Sequence, residues 1–180
     1  WGSILHCDDD PTVYALGRYF TASDPRHATS ALSAAVLSVK NNDTHAKILG
    51  EAVGKAIANL DWAPDYVVPV PMKPSQKRNR FEHLLNEAVD HFDEDIELEL
   101  KGLRCVKEIE GYKQMNALER ADAIKGAFQS NFKWNGNKVL LVDDVYTTGE
   151  TTAECVRTFT ASGAGEVRIM TLAKDPRVFS

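Results

Sequence analysis

The sequence predicts an α/β protein with a mostly parallel sheet flanked by helices, and two patterns predict it. From residue 65 onward, short apolar runs typical of buried strands alternate with segments whose apolar residues recur at helical spacing. Before that point the pattern is helical over residues 30–40 and 43–60. Alternating strands and helices favour a parallel sheet with its ligand site at the carboxyl ends of the strands. We therefore expect one compact domain, in which residues 1–62 form an N-terminal helical hood region and residues 63–180 form the core.

The core elements are expected in a fixed order along the chain. A polar segment, residues 107–125, which we call the lid segment, interrupts that order. Its length without a strand or buried-helix pattern is typical of a loop that closes over a site, although residues 116–124 also fit a plain surface helix, and both interpretations are open. The predicted strands cover residues 66–70, 96–106, 127–132, 139–142 and 166–172, and the predicted helices cover residues 76–92 and 152–161.

Residues 139–151, VLLVDDVYTTGET, carry the strongest functional signal. The apolar run at 139–142 is β-branched and aliphatic, which predicts a fully buried central strand that ends at two aspartates. Because a helical pattern begins at Thr152, residues 147–151 must be a strand-to-helix turn, which we call the Thr/Gly turn.

The Thr/Gly turn is predicted to bind an anionic group such as a phosphate. Free backbone N–H groups and the positive end of the following helix dipole point out of such a turn. Gly149 permits close approach of the ligand, and three hydroxyls add donors, those of Thr147, Thr148 and Thr151. Glu150 is the exception, because a carboxylate suits a helix N-terminus but repels a phosphate unless it points away.

Asp143 and Asp144 lie too near the turn to be ligands of the same phosphate. Vicinal sugar hydroxyls or a hydrated Mg²⁺ would satisfy both carboxylates. A 5-phosphorylated ribose presents a phosphate and a diol at about this separation, and we take it as the predicted ligand. Two alternatives are weaker: a helix N-cap needs only one acid, and the acidic pair of a two-component receiver follows the first strand rather than residue 142.

The motif resembles the binding motif of type I phosphoribosyltransferases: four apolar residues, two acids, two apolar residues, a small residue and Thr-Gly-x-Thr. The resemblance implies the type I phosphoribosyltransferase fold and transfer of ribose 5-phosphate from phosphoribosyl pyrophosphate (PRPP) to a nitrogen acceptor, with Mg²⁺-bound pyrophosphate leaving. It also implies that Asp143 and Asp144 are the catalytic residues that hold the ribose hydroxyls, and that residues 147–151 bind the 5′-phosphate. Mg²⁺ is the expected cofactor, bound through PRPP with Asp143 and Asp144 as further contacts.

A second set of charged residues lies in the loop after the first core strand, residues 70–81, which we call the basic loop. Since this loop also follows the carboxyl end of a strand, it should face the same crevice as the motif. Departing pyrophosphate needs cationic donors where charge develops, and Lys73, Arg80 and, from the lid segment, Lys113 are the predicted ligands. The alternative is a solvated basic helix start. The four bases of the loop are Lys73, Lys77, Arg78 and Arg80.

A narrower resemblance is to the competence-associated ComF/GntX branch of these enzymes, which are predicted amidophosphoribosyltransferases. Two departures from the branch stand out. The branch usually has Arg-Gly-Phe-Asn-Gln where residues 79–83 of this chain are Asn-Arg-Phe-Glu-His, so the glycine and both amides are lost. In addition, only Cys7 precedes the helices where a four-cysteine zinc ribbon often stands. Without that ribbon, nucleic-acid contact is not expected. The matching positions are residues 68–71, Phe81, Gln114, Leu118, Arg120, residues 126–128 and residues 142–149.

Composition agrees with a cytoplasmic enzyme. The 180 residues include 26 acids and 21 bases, a net charge of −5, which argues against a general nucleic-acid binder. Cys7, Cys105 and Cys155 are far apart and predict reduced thiols. No apolar stretch is long enough for a membrane span, and no HExxH, GxSxG or GxxxxGK[ST] motif occurs. Because Trp1 stands in place of a starting Met, we expect this chain to begin inside, or after processing of, a longer product.

Two rival functions are open, as are the identity of the acceptor and the oligomeric state. The same fold could serve as a non-catalytic PRPP or nucleotide sensor, or as an accessory protein in competence and DNA uptake. A receiver-like phosphorylation domain is the other rival. The expected partners are PRPP and a small-molecule nitrogen acceptor, whose identity no motif in the hood region specifies. Homodimerisation is also open.

Overall fold

The computed structural model of the protein describes residues 4–6, 10–109 and 114–176. Its strands are β1 (Leu5–His6), β2 (Val13–Ala15), β3 (Tyr66–Pro69), β4 (Glu97–Leu98), β5 (Arg104–Cys105), β6 (Phe128–Gln129), β7 (Lys138–Tyr146) and β8 (Glu166–Lys174). Its α-helices are α1 (Ala31–Val39), α2 (Ala46–Ala58), α3 (Glu82–Val89), α4 (Ala117–Ile124) and α5 (Glu150–Ala161), and a short 3₁₀ helix covers Pro25–Thr29.

Six of the strands form one mostly parallel sheet in the order β1-β2-β8-β7-β3-β4. Only the edge pair β1 and β2 is antiparallel. β7 lies in the middle, and residues 139–142 are fully buried because helices or a second sheet cover both faces. β5 and β6 form a separate two-stranded antiparallel sheet. The predicted class, α/β with a mostly parallel sheet flanked by helices, is confirmed.

The central sheet separates two hydrophobic cores. Leu140 and Val142 of β7 point into the first core, which they share with α1, α2 and α3. Val139 and Leu141 point into the second, with α5, β6 and Trp134. This alternation follows from the two-residue period of a strand. The molecule therefore has three layers, with the central sheet in the middle.

Helices α2 and α3 touch through their backbones. A Cβ atom added at Gly50 would lie 2.4 Å from the carbonyl oxygen of Leu84, and one added at Gly54 would lie 2.5 Å from that of Ala88. The two glycines, four residues apart, occupy one stripe of α2. Close packing of α3 against α2 depends on them.

Most predicted elements are confirmed: α1, α2, β3 and β6 lie within the ranges expected from apolar spacing. α5 and β8 are also present, but α5 begins at Glu150, before its expected range, and β8 ends at Lys174, after its own. The short strands β1 and β2 were missed, because two or three residues are too few to show a period. They bring residues 5–6 and 13–15 of the hood region into the central sheet. The division of the chain at residue 62 stays a prediction.

Three boundaries were wrong, each for a local reason. β7 continues to Tyr146, which pairs with Lys174, so the two aspartates lie inside the strand rather than after it. The strand expected over residues 96–106 is two strands in different sheets, with Gly102 between them packed against Trp134. The helix expected from residue 76 begins only at Glu82.

No α-helix in the described part of the chain is long and apolar enough to cross a membrane.

Candidate active site

A crevice of about 390 Å³ opens at the carboxyl ends of β3 and β7. The backbone N–H of Val70 donates to the carbonyl of Val142 at 2.8 Å, so the basic loop leaves the sheet directly beside Asp143. The crevice is lined by Tyr19, Thr21, Lys40, Val70, Pro71, Lys73, Gln76, Arg80, Cys105, Lys107, Ile109, Arg120, Ile124, Phe128, Asp143, Asp144, Val145, Thr147, Thr151 and Asp175.

A smaller cavity of about 50 Å³ adjoins the crevice at the Thr/Gly turn. Asp143, Thr147, Thr151 and Arg120 line both cavities, and Thr148, Gly149 and Glu150 line only the smaller one. The structure thus brings together all the residues predicted as ligands except Lys113, which lies outside the described residues. Their roles as ligands stay predictions.

Gly149 gives the Thr/Gly turn its shape. It is the N-cap of α5 and has a φ of 80°, a conformation that favours glycine. A Cβ atom added there would lie 2.6 Å from the hydroxyl oxygen of Tyr146, so space as well as backbone conformation requires glycine. The first N–H groups of any helix have no acceptor within the helix, and those of α5 open beside the small cavity.

Glu150 is the first residue of α5, and its side chain accepts a hydrogen bond from the hydroxyl of Thr148. A carboxylate at a helix N-terminus is favourable because of the helix dipole. An anion in the small cavity would compete with Glu150 for that hydroxyl. Glu150 can therefore assist an anion through its backbone N–H, but not through its side chain.

Asp143 and Asp144 are 7% and 8% exposed, and two cations contact them. Arg80 Nη2 lies 3.4 Å from Asp143 Oδ1, and Arg80 Nε lies 3.5 Å from Asp144 Oδ2. Lys40 Nζ lies 3.2 Å from the same oxygen of Asp144. The sequence marked Arg80 as a crevice residue but gave no signal for Lys40, an ordinary lysine at the end of a helix.

The two neighbouring aspartates have opposite pKa shifts. Burial, and then the charge of Asp144, raises the pKa of Asp143 from 3.8 to about 6, against the opposing effect of Arg80. Burial also acts to raise the pKa of Asp144, but Arg80 and Lys40 outweigh it and hold that pKa below its usual value. Near neutral pH, Asp144 is the securely ionised member of the pair.

The four bases of the basic loop divide into two groups. Lys73 and Arg80 line the crevice, and Lys73 Nζ also donates to the carbonyl of Ile109 in the lid segment at 3.3 Å. Arg78 instead binds the carbonyl of Val39 at 2.9 Å, and Lys77 lines a separate surface pocket. The bases singled out from the sequence are thus the two that border the crevice.

The lid segment borders the crevice on the side of the Thr/Gly turn. α4 confirms the helix expected over residues 116–124, and Arg120 and Ile124 of that helix line the crevice. The side chain of Glu108 accepts a hydrogen bond from the backbone N–H of Ser75 at 3.0 Å, which joins the segment to the basic loop. Closure of the segment over a ligand stays a prediction.

Other crevice residues were missed by sequence reasoning. Asp175, 4% exposed, follows β8, and its N–H donates to the carbonyl of Tyr146 at 2.9 Å. Tyr19 and Thr21 follow β2. The rule that ligand sites lie beyond the carboxyl ends of parallel strands could have found Asp175, but β2 had not been recognised as a strand.

No protein-family model matches the sequence, and no curated protein matches it. Among solved structures, a hypoxanthine phosphoribosyltransferase from Staphylococcus aureus is similar over 73% of this chain and 64% of its own, with 13% identity and a TM-score of 0.49. A glutamine PRPP amidotransferase from B. subtilis is similar over 70% of this chain and 26% of its own, with 21% identity and a TM-score of 0.44.

UMP synthase of Leishmania donovani is similar over 77% of this chain and 24% of its own, with 14% identity and a TM-score of 0.45. The chain spans less than two thirds of the length of each of these three proteins. At TM-scores below 0.5, what the crevice binds has to be inferred from its own residues.

Proposed function

We propose that the protein is a phosphoribosyltransferase that binds Mg²⁺-PRPP and transfers ribose 5-phosphate to a nitrogen acceptor, with release of pyrophosphate. One observation carries the proposal. A buried carboxylate pair, an anion-binding turn and a basic loop open into a single crevice, although the loop and the motif are about 60 residues apart in the sequence. PRPP carries a diol, a monophosphate and a diphosphate, one group for each part of that crevice.

The 5′-phosphate would bind at the Thr/Gly turn. The first N–H groups of α5, the dipole of that helix and the hydroxyls of Thr147 and Thr151 supply donors there. Arg120 adds a positive charge from α4. The ribose hydroxyls would then donate to Asp143 and Asp144, whose short side chains are held on a rigid central strand.

In the reaction, the bond between the anomeric carbon and the pyrophosphate oxygen breaks, and its electron pair leaves with pyrophosphate. The acceptor nitrogen supplies the electron pair of the new C–N bond and afterwards loses a proton. Lys73 and Arg80 would neutralise the leaving group, joined by Lys113 of the lid segment. The aspartates would favour the positive charge that develops at the anomeric carbon.

Magnesium fits this site through its ligand rather than through a protein cage. Within the described ranges, no group of three or more His, Cys, Asp or Glu side chains could hold a metal ion. Asp143 and Asp144 would hold Mg²⁺ together with oxygens of PRPP, as hard oxygen ligands suit this ion. Bound there, the ion supplies positive charge that stabilises departing pyrophosphate.

The compartment and the acceptor belong to the same proposal. Cys105 and Cys155 are free thiols, which is compatible with a reducing compartment, and we place the enzyme in the cytoplasm. The acceptor would be a small molecule with a nucleophilic nitrogen.

The proposal is tested by titrating PRPP with Mg²⁺ into the parent and into the double variant Asp143→Asn, Asp144→Asn. Loss of both carboxylates should weaken binding by about a hundredfold or more, because charge-assisted hydrogen bonds to the diol are lost. The matched control is Asp93→Asn, Asp95→Asn, which removes the same charge from two exposed positions outside the crevice. Equal binding by all three proteins would contradict the proposal.

The contacts of Lys40 and Arg80 favour one alternative, a protein that binds PRPP without reacting. Two cations within 3.5 Å of the aspartates reduce the negative charge available to a positive anomeric carbon. Pyrophosphate release should therefore be measured over a panel of purines, pyrimidines and amines. Release with any of them supports the transferase, whereas binding with no release from the whole panel supports the sensor.

A further inference from the structure

Lys40 reaches the crevice from the hood region. It is the C-cap residue of α1, and its Nζ atom lies 3.2 Å from Asp144 Oδ2. The lysine side chain is 39% exposed, whereas that of Asp144 is 12% exposed. The pair is thus largely shielded at the carboxylate, where a charge-assisted hydrogen bond is stronger than on an open surface.

The carboxylate of Asp144 is held at both oxygens. Its Oδ1 atom accepts from the backbone N–H of Val145 at 2.7 Å, and its Oδ2 atom faces Lys40 at 3.2 Å and Arg80 Nε at 3.5 Å. These contacts come from β7, α1 and the basic loop, three separate parts of the chain, and the contact of Arg80 Nε is an ion pair without a hydrogen bond. Donors at both oxygens fix the rotation of a carboxylate group, which a single donor cannot do.

The backbone that carries Lys40 is itself anchored. The carbonyl of Val39 accepts a hydrogen bond from Arg78 Nη1 at 2.9 Å, and Arg78 also pairs with Asp43. A guanidinium group at the last carbonyls of a helix also suits the negative end of the helix dipole. Lys40 therefore extends from a fixed helix end rather than from a free turn.

We propose that Lys40 is a positioning residue for the sugar diol, which holds Asp144 in the orientation that accepts hydrogen bonds from ribose hydroxyls. This inference rests on the proposed function, because it assumes that the aspartates bind the diol. Lys40 acts through Asp144 and need not touch the ligand. The effect of Lys40 on affinity should therefore depend on whether the ligand has hydroxyl groups that donate hydrogen bonds to Asp144.

The test is a cycle that varies both protein and ligand. Ribose 5-phosphate and 2,3-dideoxyribose 5-phosphate are titrated calorimetrically into the parent, Lys40→Ala, Lys40→Arg and the control Lys47→Ala, which removes an exposed lysine of α2. We expect Lys40→Ala to lose about tenfold in affinity for ribose 5-phosphate and none for the dideoxy sugar. Lys40→Arg should recover most of the loss, and Lys47→Ala should match the parent.

The other outcomes overturn either the role of Lys40 alone or the diol site itself. A Lys40→Ala protein that keeps the parent's preference for ribose 5-phosphate overturns the role of Lys40 alone. Equal losses for both sugars, or a Lys40→Arg protein as weak as Lys40→Ala, would mean a general structural effect and overturn it too. A parent that does not prefer ribose 5-phosphate overturns the diol site, and with it both the proposed function and this inference.

Discussion

Asp143 and Asp144 are chemically identical neighbours that the fold makes different. Both are buried, but two cations contact Asp144 and one contacts Asp143. Two adjacent buried charges repel each other, so the better-paired carboxyl keeps its charge and the other gives up its charge more easily. Asp143 is therefore the member of the pair whose charge changes near pH 6.

Asp143→Asn should be more stable than the parent at about pH 7 but not at about pH 4. The pKa of Asp143 is raised from 3.8 to about 6, so between these pH values the folded protein binds more protons there than the unfolded chain. This carboxyl thus lowers the free energy of unfolding as pH rises through that window, by about 3 kcal/mol in total. Asparagine has no charge to bury.

The measurement is urea denaturation of both proteins across that pH window, with the exposed Asp93→Asn as the control for loss of one charge. A stability difference that does not change with pH would contradict the raised pKa of Asp143.

The same ionisation predicts that the parent's affinity for ribose 5-phosphate falls as pH drops below about 6, because the protonated Asp143 is a weaker acceptor for the sugar hydroxyls.

Gly149→Ala should lower stability and abolish anion binding at the Thr/Gly turn. Alanine at a φ of 80° costs about 1 kcal/mol, and its Cβ atom would also displace the hydroxyl of Tyr146. Gly163→Ala is the matched control, since Gly163 has a φ of 91° and only an ordinary contact at 3.9 Å. Both variants should lose stability, but only Gly149→Ala should lose affinity for inorganic phosphate in calorimetry. Unchanged phosphate affinity in Gly149→Ala would remove the turn from the proposed site.

Among the elements, β7 does more than support the motif. It continues past the aspartates to Tyr146 and pairs with β8 as far as Lys174. The carboxylates are therefore held by sheet hydrogen bonds on a central strand, which gives them fixed backbone positions. In the basic loop, the side chain of Asn79 accepts a hydrogen bond from the N–H of Phe81 at 3.1 Å. This turn competes with helix formation, so α3 begins only at Glu82.

α4 carries Arg120 into the crevice, and its N-terminus has a complete capping box. Asn116 accepts from the N–H of Glu119 at 3.0 Å, and the Glu119 carboxylate accepts from the N–H of Asn116 at 2.8 Å. Asn116→Ala should cost about 1 kcal/mol of local helix stability. Faster hydrogen exchange over residues 117–124 would measure that loss.

Asn116→Ala should also weaken inorganic phosphate binding several-fold, because Arg120 would be less firmly held. Leu118→Ala, at a position 83% exposed on the same helix, should change neither quantity. Faster exchange with unchanged phosphate binding would separate the helix from the anion site.

At the level of the whole molecule, the hood region contributes helices to the first hydrophobic core. Val36 of α1 and Leu49 of α2 are fully buried in the cluster that contains Leu140 and Val142 of β7. Without residues 1–62, that face of the central sheet would be exposed to solvent. We therefore expect the fragment 63–180 not to fold alone.

The fragment should show no cooperative thermal transition by circular dichroism, whereas the full chain should show one. A cooperative transition in the fragment would establish residues 63–180 as an independent domain, and would make the hood region an addition to a complete core.

The α/β class, the buried central strand and the Thr/Gly turn could be predicted because each depends on neighbouring residues. Burial on both faces demands the apolar run at 139–142, and the left-handed conformation before α5 demands Gly149. The prediction that the basic loop, with Lys73 and Arg80, faces the same crevice as the motif needed one further rule, that carboxyl ends of parallel strands share an edge. Local chemistry thus located the segments that line the crevice.

Contacts between distant parts of the chain could not be predicted in this way. Lys40 meets Asp144 across more than 100 residues of sequence, and nothing in the residues around Lys40 distinguishes it from other lysines at helix ends. The opposite pKa shifts of Asp143 and Asp144 depend on where Lys40 and Arg80 lie after folding. Local spacing determines the strand, the turn and their chemistry, whereas the packing of α1 and the basic loop around β7 determines which charges surround the aspartates, because electrostatic interactions depend on distance in space.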